Sequence, residues 1–202
     1  MTTLNASAAL PSRSDVPPGA QQRRRRAAVA RRLIAAAPDA AAALDWAALD
    51  AAPGWLALAD TELMGLARQV GALLCAASIR LWIDAARIGA ARTALGPTFL
   101  QALQALPEAH VLPRNVAPCP RIDTGEQVAP MLRTSGLGVL LASLPSGPLR
   151  RAATAVLGTT ASTMAPALAQ SLVTRAQTLT VQRAPGARTQ PPPNKPAEGV
   201  RA

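Results

Sequence analysis

Tyrosine is absent from this chain, phenylalanine occurs once and tryptophan three times in 202 residues. So few rings argue against a base-stacking platform of the kind that single-strand nucleic-acid binders use. Histidine occurs once, at His110. One imidazole excludes most His-based pair mechanisms, and no His/Cys/Asp spacing resembles a metal site. Cys75 and Cys119 are the only cysteines, too few for a disulfide framework. Cys75 lies in an apolar helical pattern and reads as a small buried hydrophobe, whereas Cys119 stands between Pro118 and Pro120 in a loop. No secretory signal argues for an oxidising compartment, so a bridge between the two is not expected. A G-x-x-x-x-G-K-[ST] loop and a G-x-S-x-G elbow are both missing, and Gly136-Leu137-Gly138 alone carries no weight as a phosphate loop. The carboxylates are scattered. These absences point to a non-enzyme without cofactor or metal.

What is present points to helices. Half of the residues are hydrophobic, but many of these are alanine, which buries little area per side chain. Leu, Ile, Val and the tryptophans must form the core, and small residues let helices approach. Trp46, Trp55 and Trp82 are expected to pack as a cluster in that core, because buried aromatics mainly supply area. The fold class expected is mostly α: a single helical domain with disordered, basic N- and C-terminal segments. The 19 prolines and 13 glycines gather largely outside the centre. They set the expected boundaries: a disordered basic arm over 1–26, a helical domain over 27–183 and a disordered Pro-rich tail over 184–202. Within the domain, 60–106 is the core and 107–130 a long Pro-rich loop.

The net charge of +10 is unevenly spread. Residues 1–37 carry +6, residues 38–110 carry −3 and residues 111–202 carry +7. The pattern is of basic flanks on a mildly acidic body. The run Arg23-Arg24-Arg25-Arg26, followed by Arg31 and Arg32, admits three readings. It has the look of a targeting segment, although Asp39 cuts its apolar run short. It suits an arm for nucleic acid or anionic membrane. It also suits a solvated basic helix that ends before Pro38 and packs Val29, Leu33 and Ile34 on the body. Charge runs are usually of the last kind.

Along the chain, residues 39–50 read as a helix with Leu44, Trp46 and Leu49, broken by Pro53-Gly54. Trp55, Leu56 and Leu58 form an apolar patch. Leu63, Leu66, Val70, Leu73 and Leu74 share one helical face over 61–76, with Asp60 or Thr61 as cap. A second helix is expected from Ser78 to about Leu95, apolar nearly all round and so buried. Only a strip of Arg80, Asp84 and Arg87 should reach solvent. Gly96 and Pro97 then end that helix and open the next, over 97–106. Further on, 136–144 is a short apolar helix or strand. A helix opens at Ser146 and Pro148, and another runs within 161–181 with Pro166 near its start. The uncharged span 152–174 is long enough for a bilayer but too polar to cross one.

The run LARQVGALLCAASIRLWIDAARIGAARTALG, residues 66–96, resembles the core signature of the SctK/YscK/OrgA family, in particular its Hrp-type branch. The resemblance is carried by Leu73, Leu74, Cys75, Ala76, Ile79, Arg80, Ile83, Asp84, Leu95 and Gly96. It implies a cytosolic accessory protein of the type III secretion injectisome, placed in the sorting platform at the inner membrane. The implied partners are an SctQ-like pod protein and the cytosolic domain of an SctD-like inner-membrane ring protein. The expected contact residues are Arg80, Asp84, Arg87, Trp55 and Leu58. A peripheral contact with the inner membrane fits the basic flank, while nucleic acid is the lesser alternative.

Overall fold

The computed structural model describes residues 18–113 and 119–181. The expected N-terminal arm up to residue 17, the loop segment 114–118, the last two residues of the expected domain and the whole expected tail over 184–202 lie outside these described residues. Ten α-helices and no strand occur among the described residues. The helices are α1 (Pro18–Ala36), α2 (Pro38–Ala42), α3 (Trp46–Asp50), α4 (Asp60–Leu74), α5 (Ala76–Ile79), α6 (Ala85–Leu95), α7 (Pro97–Gln104), α8 (Gly125–Ala142), α9 (Pro148–Leu157) and α10 (Pro166–Val181). Short 3-10 turns sit at Gly54–Ala57 and Glu108–His110.

The centre of the fold is the pair α4 and α8, against which α6 and α10 pack. Every residue from 136 to 144 is buried, which explains why that run is apolar without a period. Residues 136–142 of it are the C-terminal part of one 18-residue helix and not a separate element. The helix begins at Gly125, so the Pro-rich loop ends six residues earlier than the sequence suggests. Pro130 lies inside α8 near its start, where a missing N–H costs a single bond to the carbonyl four residues back. The other end of α8 is closed by a side chain. Arg150 donates from Nε to the Leu144 carbonyl at 3.0 Å and from a terminal nitrogen to that of Ala142 at 3.3 Å. A cation there satisfies the orphan carbonyls and opposes the negative end of the helix dipole.

Helix α1 corrects the expected arm. Residues 18–26 are helical and continuous with 27–36, and α1 lies against α2, α3, the 3-10 turn at Gly54–Ala57 and α9. Val29 and Leu33 are fully buried, while Ile34 stays exposed. Arg25 donates to the Ala52 carbonyl, Arg26 pairs with Asp50, and Arg32 donates to the Leu56 carbonyl and pairs with Asp60. Half of the basic helix is therefore tied to the body.

The helix expected over 39–50 is two short ones, because Asp45 turns its carboxylate to the Ala48 N–H at 2.7 Å and starts α3 afresh. The N-terminus of α4 is closed by Glu62, which accepts from the Ala59 N–H at 3.2 Å, and neither Asp60 nor Thr61 is its cap. Gly96 has φ +80° and ends α6 as expected, and Pro97 opens α7. The tryptophans do not share a site. Trp55 is buried, Trp82 is half-buried against the core, and Trp46 is exposed on α3.

Candidate interaction surface

The expected helix over 78–95 is broken. Helix α5 ends at Ile79, and the Leu81 and Trp82 N–H groups close a turn onto the carbonyls of Ser78 and Ile79, both at 3.1 Å. The chain then extends through Asp84 and restarts as α6. The cause is local. The Asp84 carboxylate accepts from the backbone N–H groups of Ala86 at 3.1 Å and Arg87 at 3.2 Å, so it caps α6 from outside. A short acidic side chain competes with the helix for its own backbone, and here it wins.

This turn exposes what a continuous helix would have buried. Leu81 is 67% exposed and Ile83 is 94% exposed. Two of the four large hydrophobic side chains exposed among the described residues thus lie two positions apart on one turn. Around them the turn is braced. The Arg87 Nε donates to Asp84 at 3.2 Å, and a terminal nitrogen donates to the Ile122 carbonyl at 3.3 Å. The Arg87 guanidinium carbon also lies 5.6 Å from the centroid of the Trp82 ring. The backbone N–H bonds from Ala86 and Arg87, with help from the Arg87 side chain, hold the Asp84 carboxyl below the ordinary carboxylate range.

Beneath the turn, Cys75 and Cys119 form a disulfide with their Cα atoms 5.2 Å apart. This corrects the expectation of two separate thiols. The bond fixes the segment that follows, 119–124, beside the α4–α5 junction, and Ile122 is buried there. A groove of about 350 Å³ lies between Trp82 and Arg87 on one side and Cys119 and Ile122 on the other. Arg121 and Asp123 pair at 2.8 Å at its rim.

The strip of Arg80, Asp84 and Arg87 is therefore not one helical face. Asp84 and Arg87 are joined, while Arg80 is exposed and its side chain makes no hydrogen bond or ion pair among the described residues. The patch at Trp55 and Leu58 is also divided. Trp55 is only 1% exposed, so its ring is core and not contact surface. Half-buried Leu58 lines a different groove, with Leu66, Gln69 and Gln177. Sequence reading missed Leu81 and Ile83 as surface residues. The available signal was Asp84 standing directly before an Ala-rich run, which is the pattern of a helix start.

No group of three or more His, Cys, Asp or Glu side chains fit to hold a metal ion occurs among the described residues. No helix there is long and apolar enough to cross a membrane. No family model, curated protein or solved structure matches this chain.

Proposed function

We propose that this chain is a non-enzymatic adaptor of a type III protein secretion apparatus, acting in the cytoplasm at the inner face of the bacterial inner membrane. It links the inner-membrane ring to the sorting platform by offering surfaces. One observation carries the reading. Within residues 66–96, the run that resembles the SctK/YscK/OrgA family, Leu81 and Ile83 stand exposed on a turn braced by Asp84 and Arg87. Apolar side chains on a rigid, polar-rimmed turn are what a docking contact requires. An SctQ-like pod protein or the cytosolic domain of an SctD-like ring protein is the partner expected there. The test is a pull-down of the tagged full chain from cells making the whole apparatus, in moderate salt. Recovery of either partner, lost with Leu81→Ser/Ile83→Ser, supports the reading. Recovery of neither, at low salt as well, refutes it.

A second reading is a nucleic-acid-binding protein, favoured by Arg23 and Arg24, which are exposed on α1 without a partner among the described residues. It predicts binding that falls steeply with salt and is indifferent to Leu81 and Ile83.

A further inference from the structure

We propose that the outward face of α1, together with Trp46, docks on an anionic lipid bilayer. At 100° per residue, Arg23, Ala27, Arg31, Ile34 and Arg24 fall within about 100° of arc on α1, and all five are exposed. Val29 and Leu33 point the other way, into the body, and Arg25 and Arg32 reach carbonyls on that side. The arginines of α1 are thus sorted into two sets. Arg25, Arg26 and Arg32 are bound to carbonyls and carboxylates of residues 50–60. Arg23, Arg24 and Arg31 have no carboxylate partner among the described residues, and the only side-chain bond Arg31 makes there is from Nε to the Ala27 carbonyl at 3.2 Å.

Ile34, 58% exposed, lies on that same face, and Trp46, 69% exposed, stands at the edge of α1 that Arg26 marks. Trp46 is tied to the same helix, with the Arg26 guanidinium carbon 5.5 Å from its ring centroid. The combination selects the partner. A phosphate-rich surface attracts the arginines whether it is a nucleic acid or a membrane. Ile34 gains nothing against a sugar-phosphate backbone, but it gains at the boundary between headgroups and acyl chains. Tryptophan favours that same depth, where its ring is apolar on one side and wet on the other. A body that presents cations with Ile34 among them and Trp46 at their edge fits an anionic bilayer, which it meets without crossing. For its cellular place this inference rests on the inner-membrane location proposed above. The vesicle experiment needs no secretion component, so the two readings fail separately.

The test is flotation of the full chain with phosphatidylcholine vesicles, with and without phosphatidylglycerol. Two variants are compared: Arg23→Glu/Arg24→Glu/Arg31→Glu and Ile34→Ser/Trp46→Ser, each checked for an unchanged circular dichroism spectrum and melting temperature. Expected is binding that requires phosphatidylglycerol, falls about tenfold or more with the charge variant, and falls several-fold with the apolar variant at unchanged net charge. Brominated lipid should quench the part of the emission that Trp46→Phe removes. The proposal is overturned if the charge variant floats as wild type. It is equally overturned if the apolar variant does so, with no quenching of Trp46 and with full displacement by single-stranded DNA. That second result would assign the face to nucleic acid.

Discussion

Gly71 of α4 and Gly136 of α8 face each other where the two helices cross, so closely that a Cβ built on Gly136 would lie 2.9 Å from the Gly71 nitrogen. The same Cβ would overlap the Ala67 carbonyl, and one on Gly71 would overlap that of Leu132. The central pair is therefore packed backbone against backbone. Gly136→Ala and Gly71→Ala are expected to cost at least about 1–3 kcal/mol each, because the obstacle is main chain that cannot turn aside. Gly65→Ala in α4 and Gly89→Ala in α6, where a Cβ meets nothing within 4 Å, should instead stabilise by about 0.5–1 kcal/mol. Urea denaturation of the four variants checks the contrast.

Trp55 and Trp46 should respond in opposite ways. Trp55→Ala opens a cavity in the core and is expected to cost about 3–5 kcal/mol. Trp55→Phe should cost much less, since it also removes a buried indole N–H that has no hydrogen-bond partner among the described residues. Trp46→Ala loses only an exposed ring contact with Arg26, within about 1 kcal/mol. Melting temperatures of the three variants decide it.

The Cys75–Cys119 bond spans 44 residues. A loop of that length is expected to make the oxidised chain more stable by about 2–4 kcal/mol through the entropy of the unfolded state. Thiol titration in denaturant should find no free cysteine until reductant is added. Cys75→Ser/Cys119→Ser should match the reduced wild type in urea.

Asp84 gives the fold an acid-sensitive element. Its folded pKa lies below the ordinary value, chiefly through the Ala86 and Arg87 backbone N–H bonds. Its contribution is therefore complete above the ordinary carboxylate range and is lost as pH falls through the lowered folded value. Asp84→Asn should flatten that part of the stability profile. Denaturation midpoints measured from neutral to acid pH, for both proteins, test the sign.

Leu81→Ser/Ile83→Ser is expected to separate binding from stability. Both side chains are exposed, so the melting temperature should stay close to wild type, as for most surface substitutions. Capture of the SctQ-like or SctD-like protein proposed above as partner should fall at least tenfold, the scale of losing an apolar anchor at an interface. A large fall in melting temperature would mean that the turn serves the core instead.

Much of the fold was legible because its signals are local. The Gly96-Pro97 junction, Pro148, Pro166 and the apolar face of α4 set their elements where the structure has them. The expected errors arose where a side chain or a distant contact overrides the local pattern. Apolar periodicity ran straight through residues 80–84, but the Asp84 carboxylate takes the backbone N–H groups and breaks the helix there. Pro130 suggested loop, yet the first turns of α8 tolerate it. The basic helix that packs Val29 and Leu33 was legible, but its start was set too late, at residue 27, because no local rule shows that Asp50, Asp60 and two carbonyls wait for its arginines. The cysteine pair was hidden for a similar reason. Sequence shows neither the fold of 119–124 over the α4–α5 junction nor how close the two Cα atoms come. Of the residues named from sequence, Asp84 and Arg87 meet at the turn, Arg80 stands apart from them and Trp55 is core, whereas Leu81 and Ile83 were placed inside.

The crossing of α4 and α8 also bears on how the chain reaches its fold. Helical proteins usually fold quickly because most of their contacts are short in sequence. Here the decisive pairing joins Gly71 to Gly136, and the chain must close the long loop between them before that contact stabilises anything. The disulfide lies within that loop, between the end of α4 and the strap that leads into α8. In an oxidised chain the two partners begin their search already tethered. The bond therefore shortens the search itself, and its loss should slow folding as well as weaken the folded state.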